Sequence, residues 1–119
     1  MKEKILIVCG DPNSINSELI FKCWRKINNS LKKKIYLIGN YNLMKAQFKK
    51  LKYKTKIQEV ENINNDIKTN NLKIINVDLS FKKPFDVSYE KTSRYVLKSL
   101  NFAHKLALQN NVKGLINCS

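Results

Sequence analysis

The sequence is poor in the residues that metal and nucleophilic chemistry need. It has one histidine, His104, and three cysteines, Cys9, Cys23 and Cys118, far apart and with no C-x-x-C pair. A zinc site draws on closely paired nitrogen and sulfur ligands, so no metal site is expected and the cysteines read as reduced, buried small residues. One histidine and nine acids spread along the chain assemble no Ser/His/Asp arrangement and no paired carboxylates. Long apolar runs are also missing. Nothing approaches the ~18 apolar residues of a membrane span, and the apolar run within MKEKILIVCGD is too short for a secretory signal, so a cytoplasmic protein is expected.

Arginine is nearly absent, with only Arg25 and Arg94 beside 21 lysines. Lys, Asn and Ile make up 50 of the 119 residues, the composition that an AT-rich genome favours, and base composition therefore supplies much of the net charge of +14. Arginine grips phosphates and guanine edges with a bidentate fork that lysine lacks. The lysines are scattered along the chain, so nucleic acid is not the expected partner. A small basic nucleic-acid or anion-binding α/β module stands as the alternative reading.

Length and a 43% hydrophobic content fit one modest domain. Ile5 to Cys9 (ILIVC) is a short β-branched run stopped by Gly10-Asp11-Pro12, as a strand buried on both faces should be. Glu18 to Asn28 then places Leu19, Ile20, Cys23, Trp24 and Ile27 on one helical face, with Ser17 as the expected N-cap. A second strand, Ile35 to Ile38, stops at Gly39-Asn40, and a helix follows with Leu43, Met44, Phe48 and Leu51 on one side. From Lys50 to Lys56 the lysines alternate with Leu51, Tyr53 and Thr55, which predicts a lysine-faced edge strand. Residues 59–71 read as a surface loop, and Leu72 to Val77 as a strand. Pro84 keeps the next stretch out of a central strand.

Tyr89 to Asn110 is the clearest element, an amphipathic helix capped by Ser88. Thr92, Val96, Leu100, Ala103 and Ala107 lie on its apolar face, with Tyr95, Ser99 and Leu106 beside them and His104 partly buried at the border. Val112 to Cys118 (VKGLINC) predicts a further buried strand. Strands alternating with helices predict an α/β fold with a mainly parallel sheet and crossover helices. Residues 1–119 show no internal boundary.

The loop between the first strand and helix, Gly10 to Glu18, holds the position where α/β sheets bind ligands, and a helix N-terminus offers free N–H groups to anions. It lacks both the G-x-G-x-x-G fingerprint, having Gly10 alone, and the Walker pattern. Asp11 suits either a ligand contact or a turn, and the lysines at 32–34 read as a solvated turn. Asn117 and Ser119 reach a cleft beside Asp11 if the first and last strands are neighbours.

GDPNSINSE after ILIVC resembles the opening of the 4-hydroxythreonine-4-phosphate dehydrogenase family of pyridoxal phosphate (vitamin B6) synthesis, whose loop reads G-[DE]-P-x-G-[IV]-G-P-E. Gly10, Asp11, Pro12, Ile15 and Glu18 match, while Ser14 and Asn16 replace two glycines and Ser17 a proline. The long helix leading into VKGLINCS resembles the family's helix and strand before T-G-P-x-x-K, with Asn117, Cys118 and Ser119 in the places of Thr, Gly and Pro.

The resemblance implies the amino-terminal part of a two-lobed enzyme with the isocitrate/isopropylmalate dehydrogenase fold, working as a homodimer. It implies oxidation of 4-phosphooxy-threonine with NAD and a divalent metal ion, followed by decarboxylation. The family's metal-binding histidines, catalytic lysine and most NAD contacts lie beyond this stretch, so the fragment is expected to be inactive alone and to bind neither cofactor. No catalytic, cofactor-binding or metal residue is carried over. The expected cleft-lining residues are Gly10, Asp11, Pro12 and Asn117.

Overall fold

The computed structural model describes residues 3–63, 69–109 and 112–118. Its strands are β1 (Lys4–Val8), β2 (Ile35–Gly39), β3 (Ile57–Val60), β4 (Leu72–Asn76) and β5 (Val112–Asn117), and its helices α1 (Asn16–Lys26), α2 (Asn29–Lys32), α3 (Tyr41–Lys50) and α4 (Tyr89–Gln109). One five-stranded sheet runs in the order β3-β4-β2-β1-β5, and every neighbouring pair is parallel. This is the α/β fold that the alternation of strands and helices predicts.

Each strand sends alternate side chains to opposite faces, and two core clusters follow. Leu37, Ile74, Ile20, Trp24, Met44 and Phe48 fill the face covered by α1 and α3, whereas Leu6, Val8, Tyr36, Ile38, Ile75, Tyr95 and Ala103 fill the face covered by α4. β2 lies inside the sheet and is buried at all five positions, which is why its sequence is a continuous apolar run. Side chains also cap the helices. Asn28 accepts from the Leu31 N–H at 2.8 Å, Asn40 from the Leu43 N–H at 2.9 Å, and Ser88 from the Lys91 N–H at 3.3 Å.

Several expectations are corrected. Ser17 caps nothing: α1 already begins at Asn16, and the Ser17 hydroxyl is buried in its first turn. Residues 50–56 are not a strand. α3 ends in a Schellman turn, in which Tyr53 N–H donates to the Phe48 carbonyl and Lys52 N–H to the Lys49 carbonyl, with Lys52 at φ 62°. The Tyr53 ring then meets Phe48 edge-on at 5.6 Å and stacks on Phe21 of α1 at 3.7 Å. The edge strand forms later, as β3, and takes the first residues of the expected 59–71 loop. Ile63, also in that loop, is buried in the α4-side core; residues 64–68 lie outside the described set.

On α4 the centre of the buried face is Thr92, Tyr95, Ser99 and Ala103, with Val96 and Leu100 half-buried beside it. That rotation turns His104 to solvent. The expected β5 is present, but it is an edge strand with no fully buried residue, because it pairs on one side only. Of the cysteines, all free, only Cys9 is fully buried; Cys118 is half-buried and Cys23 exposed. Lys33 lies in the expected solvated turn, yet its carbonyl accepts from the fully buried Lys73 ammonium at 2.6 Å.

Candidate functional site

Because all strands are parallel, their carboxyl ends and following loops gather at one end of the sheet. β1 and β5 are neighbours there, with Val8 opposite Asn117. The loop after β1 turns at Gly10, whose φ of +76° is open to glycine at no steric cost. A Cβ there would overlap the Cys118 carbonyl oxygen, so glycine is required on space as well as on conformation.

Asp11 shapes the next turn. Its carboxylate accepts from the Asn13 N–H at 2.8 Å, and its carbonyl accepts from the Ser14 hydroxyl at 2.7 Å. Pro12 is buried and its carbonyl accepts from Gln47 of α3 at 2.8 Å; the same Gln47 amide donates to the Pro84 carbonyl at 2.7 Å. Asn13 exchanges two hydrogen bonds with Val87, amide to carbonyl and N–H to side-chain oxygen, both at 2.8 Å. The loop is thereby fastened to the irregular segment that precedes α4.

Asn16 closes the centre. Its amide donates to the Cys9 carbonyl at 3.1 Å and to the Cys118 carbonyl at 2.6 Å, tying the ends of β1 and β5 together. A glycine here would leave both carbonyls without this donor. At the next strand, Gly39 allows the Tyr95 hydroxyl and the Cys9 sulfur to approach; a Cβ would stand 2.8 and 2.9 Å from them. The Tyr95 hydroxyl accepts from the Asn40 N–H at 2.8 Å. Burial pushes the Cys9 thiol far above its ordinary range, with Cys118 adding to the effect. Burial, then Cys9, does the same to Tyr95, against the hydrogen bond from Asn40.

Beside the loop lies a groove of about 520 Å³ lined by Asp11, Asn13, Tyr89, Thr92, Ser93 and Leu97, among others. Gly10 and Pro12 are buried under the loop, and Asn117 is exposed at the end of β5. Ser119 lies outside the described residues. The sequence reading placed Asn13 and Asn16 in the candidate loop, Asn16 as a replaced glycine, but gave neither a bracing role, and it missed Gln47. Gln47 carried a signal, falling with Leu43, Met44 and Phe48 on the buried side of α3.

Among the described residues no three His, Cys, Asp or Glu side chains gather to hold a metal. Asn16 stands where the family loop has a glycine, and its amide is held by the Cys9 and Cys118 carbonyls. No described helix is long and apolar enough to cross a membrane.

No protein-family model matches the sequence, and no curated protein matches it. Solved structures do. A Salmonella typhimurium protein assigned as 4-hydroxythreonine-4-phosphate dehydrogenase superposes with a TM-score of 0.81 at 18% identity, over 98% of this chain and 37% of its own. The enzymes from Klebsiella pneumoniae (TM-score 0.76, 16% identity) and Burkholderia phymatum (0.77, 15%) cover 98% of this chain and 37% and 36% of theirs. The chain therefore spans little more than a third of these structures, and over that third it has the fold of a 4-hydroxythreonine-4-phosphate dehydrogenase.

Proposed function

We propose that this chain is the amino-terminal portion of an NAD-dependent 4-hydroxythreonine-4-phosphate dehydrogenase-like protein, serving there as part of a first lobe. The observation that carries the reading is the superposition over 98% of the chain at a TM-score of 0.81. The residue matches at Gly10, Asp11, Pro12, Ile15 and Glu18 support it independently. So does an apolar hollow of about 210 Å³ between α1 and β5, lined by Leu19, Trp24, Ile27 and Ile116, which further layers of such a protein would cover.

In this reading the described residues have a scaffolding role. Asp11 and Asn13 shape one wall of the cleft, with Asn117 at its edge and Gly10 and Pro12 holding the loop beneath. NAD, the divalent metal and the groups that move protons belong to the remaining two thirds. The protein works in the cytoplasm as a homodimer on a small phosphorylated amino acid.

The test compares the 119-residue chain with the product of its entire reading frame, each given 4-phosphooxy-threonine, NAD and Mg²⁺. The expected result is no NADH from the short chain and substrate-dependent NADH from the whole product. A whole product that forms no NADH and binds no substrate overturns the reading.

A further inference from the structure

Lysine is spread through the whole sequence, but its counterions are not. Twelve of the 23 Lys and Arg residues, and none of the nine Asp and Glu, fall between Leu19 and Gln58. This stretch alone carries +12 of the net +14. A drift in base composition enriches lysine everywhere and gives no reason for 40 consecutive residues without an acid.

The fold gathers this charge on one side of the sheet. Phe21 of α1 stacks on Tyr53, and Phe48 of α3 meets both rings edge-on at 5.8 and 5.6 Å, so the cationic helices and the turn after α3 share one aromatic floor. Around it, Arg25 lies over Phe21 at 5.6 Å and Lys45 over Tyr41 at 4.9 Å. Lys32 extends the surface, 5.3 Å above Trp24. Between α3 and the approach to β3 runs a groove of about 580 Å³ lined by Tyr41, Lys45, Lys49, Tyr53, Thr55 and Lys56. Among the described residues Lys45, Lys49 and Lys56 form no ion pair with a carboxylate; in the whole acid-free stretch only Lys22 does, with Glu18 at 3.1 Å. Like charges this dense repel one another and lower stability, and a bound polyanion relieves that repulsion.

We propose that the α1/α3 side of the molecule binds single-stranded nucleic acid, with the backbone tracked by Lys45, Lys49 and Lys56 and a base received on Tyr41 in the groove. Lysines spaced along a channel with aromatic faces between them match the repeat of phosphate and base, and this recognition is tolerant of sequence. One arginine on this side, Arg25, is no obstacle, because point charges serve backbone contacts and the bidentate fork is needed for base edges. The proposal stands apart from the dehydrogenase reading, since the groove lies on β3's side of the sheet, across β4 and β2 from the Asn16 tie.

The test titrates the full chain against labelled oligothymidylate and oligouridylate of about 12 nucleotides at several salt concentrations. Affinity should fall with salt by a log–log slope of about −0.7 for each phosphate neutralised. The triple variant K45Q/K49Q/K56Q should flatten that slope by about 2. Tyr41→Ala should weaken binding by about tenfold at every salt concentration. A control set on α4, K91Q/K98Q/K105Q, should leave both affinity and slope unchanged, with circular dichroism confirming that all variants fold. Equal losses from the α4 set would show a diffuse charge effect and overturn the site. So would binding to vesicles of anionic lipid with none to either oligonucleotide.

Discussion

Single residues carry unusual weight where β1 ends. Asn16→Ala removes two donors from the Cys9 and Cys118 carbonyls, one of them buried, and should cost about 2 kcal/mol, read as a lower urea midpoint at unchanged m-value. Lys52 offers the opposite change. It holds a left-handed conformation at φ 62° that costs a side-chain-bearing residue about 1 kcal/mol, so Lys52→Gly should raise stability by roughly that amount. Cys9 and Tyr95 make stability depend on alkali. Burial keeps both protonated in the folded chain at pH values where the unfolded chain releases them, so the unfolded state binds fewer protons and stability falls as pH rises. The decline should begin above 9.0, the ordinary thiol value, and steepen above 10.0, that of the phenol. In Cys9→Ala the first part of the decline should shrink to the share of Cys118, whose thiol burial also raises, and the second should remain, as thermal melts across this range would show.

At the scale of elements, β5 is the exposed flank. Leu19 and Ile116 are 47% and 52% exposed beside the apolar hollow, and β5 offers its outer backbone edge unpaired among the described residues. Leu19→Lys with Ile116→Thr should reduce self-association in sedimentation at high protein concentration and change stability by only about 0.5 kcal/mol. The order of elements was legible because buried parallel strands are continuous apolar runs, and because Gly10 and Gly39 end β1 and β2 where the chain must turn closely. The lysine alternation at 50–56 misled for a definable reason. A Schellman turn followed by extended chain also alternates, and only the ring contacts of Tyr53 with Phe21 and Phe48 separate it from a strand. The braces of the site were illegible in a different way. An asparagine in a loop announces a turn, but not that its amide reaches a carbonyl 102 residues away, as Asn16 does, or 74 away, as Asn13 does.

For the molecule as a whole, charge and connectivity set the behaviour. With +12 of the net +14 carried by residues 19–58, screening should stabilise the fold. The thermal midpoint is expected to rise by several degrees as the Debye length shortens from about 30 Å in ~0.01 M salt to about 8 Å at ~0.15 M, and a flat or falling midpoint in differential scanning calorimetry would contradict this. Connectivity acts on the path to the fold. β1 leaves the ribosome more than 100 residues ahead of its partner β5, and the Asn16 tie needs both. The loop at residues 10–16 therefore assumes its final form only after β5 arrives, although it is synthesised long before that strand. Until α4 has crossed the sheet and delivered β5, the nascent chain presents one flank of β1 to whatever chaperone or neighbouring polypeptide meets it first.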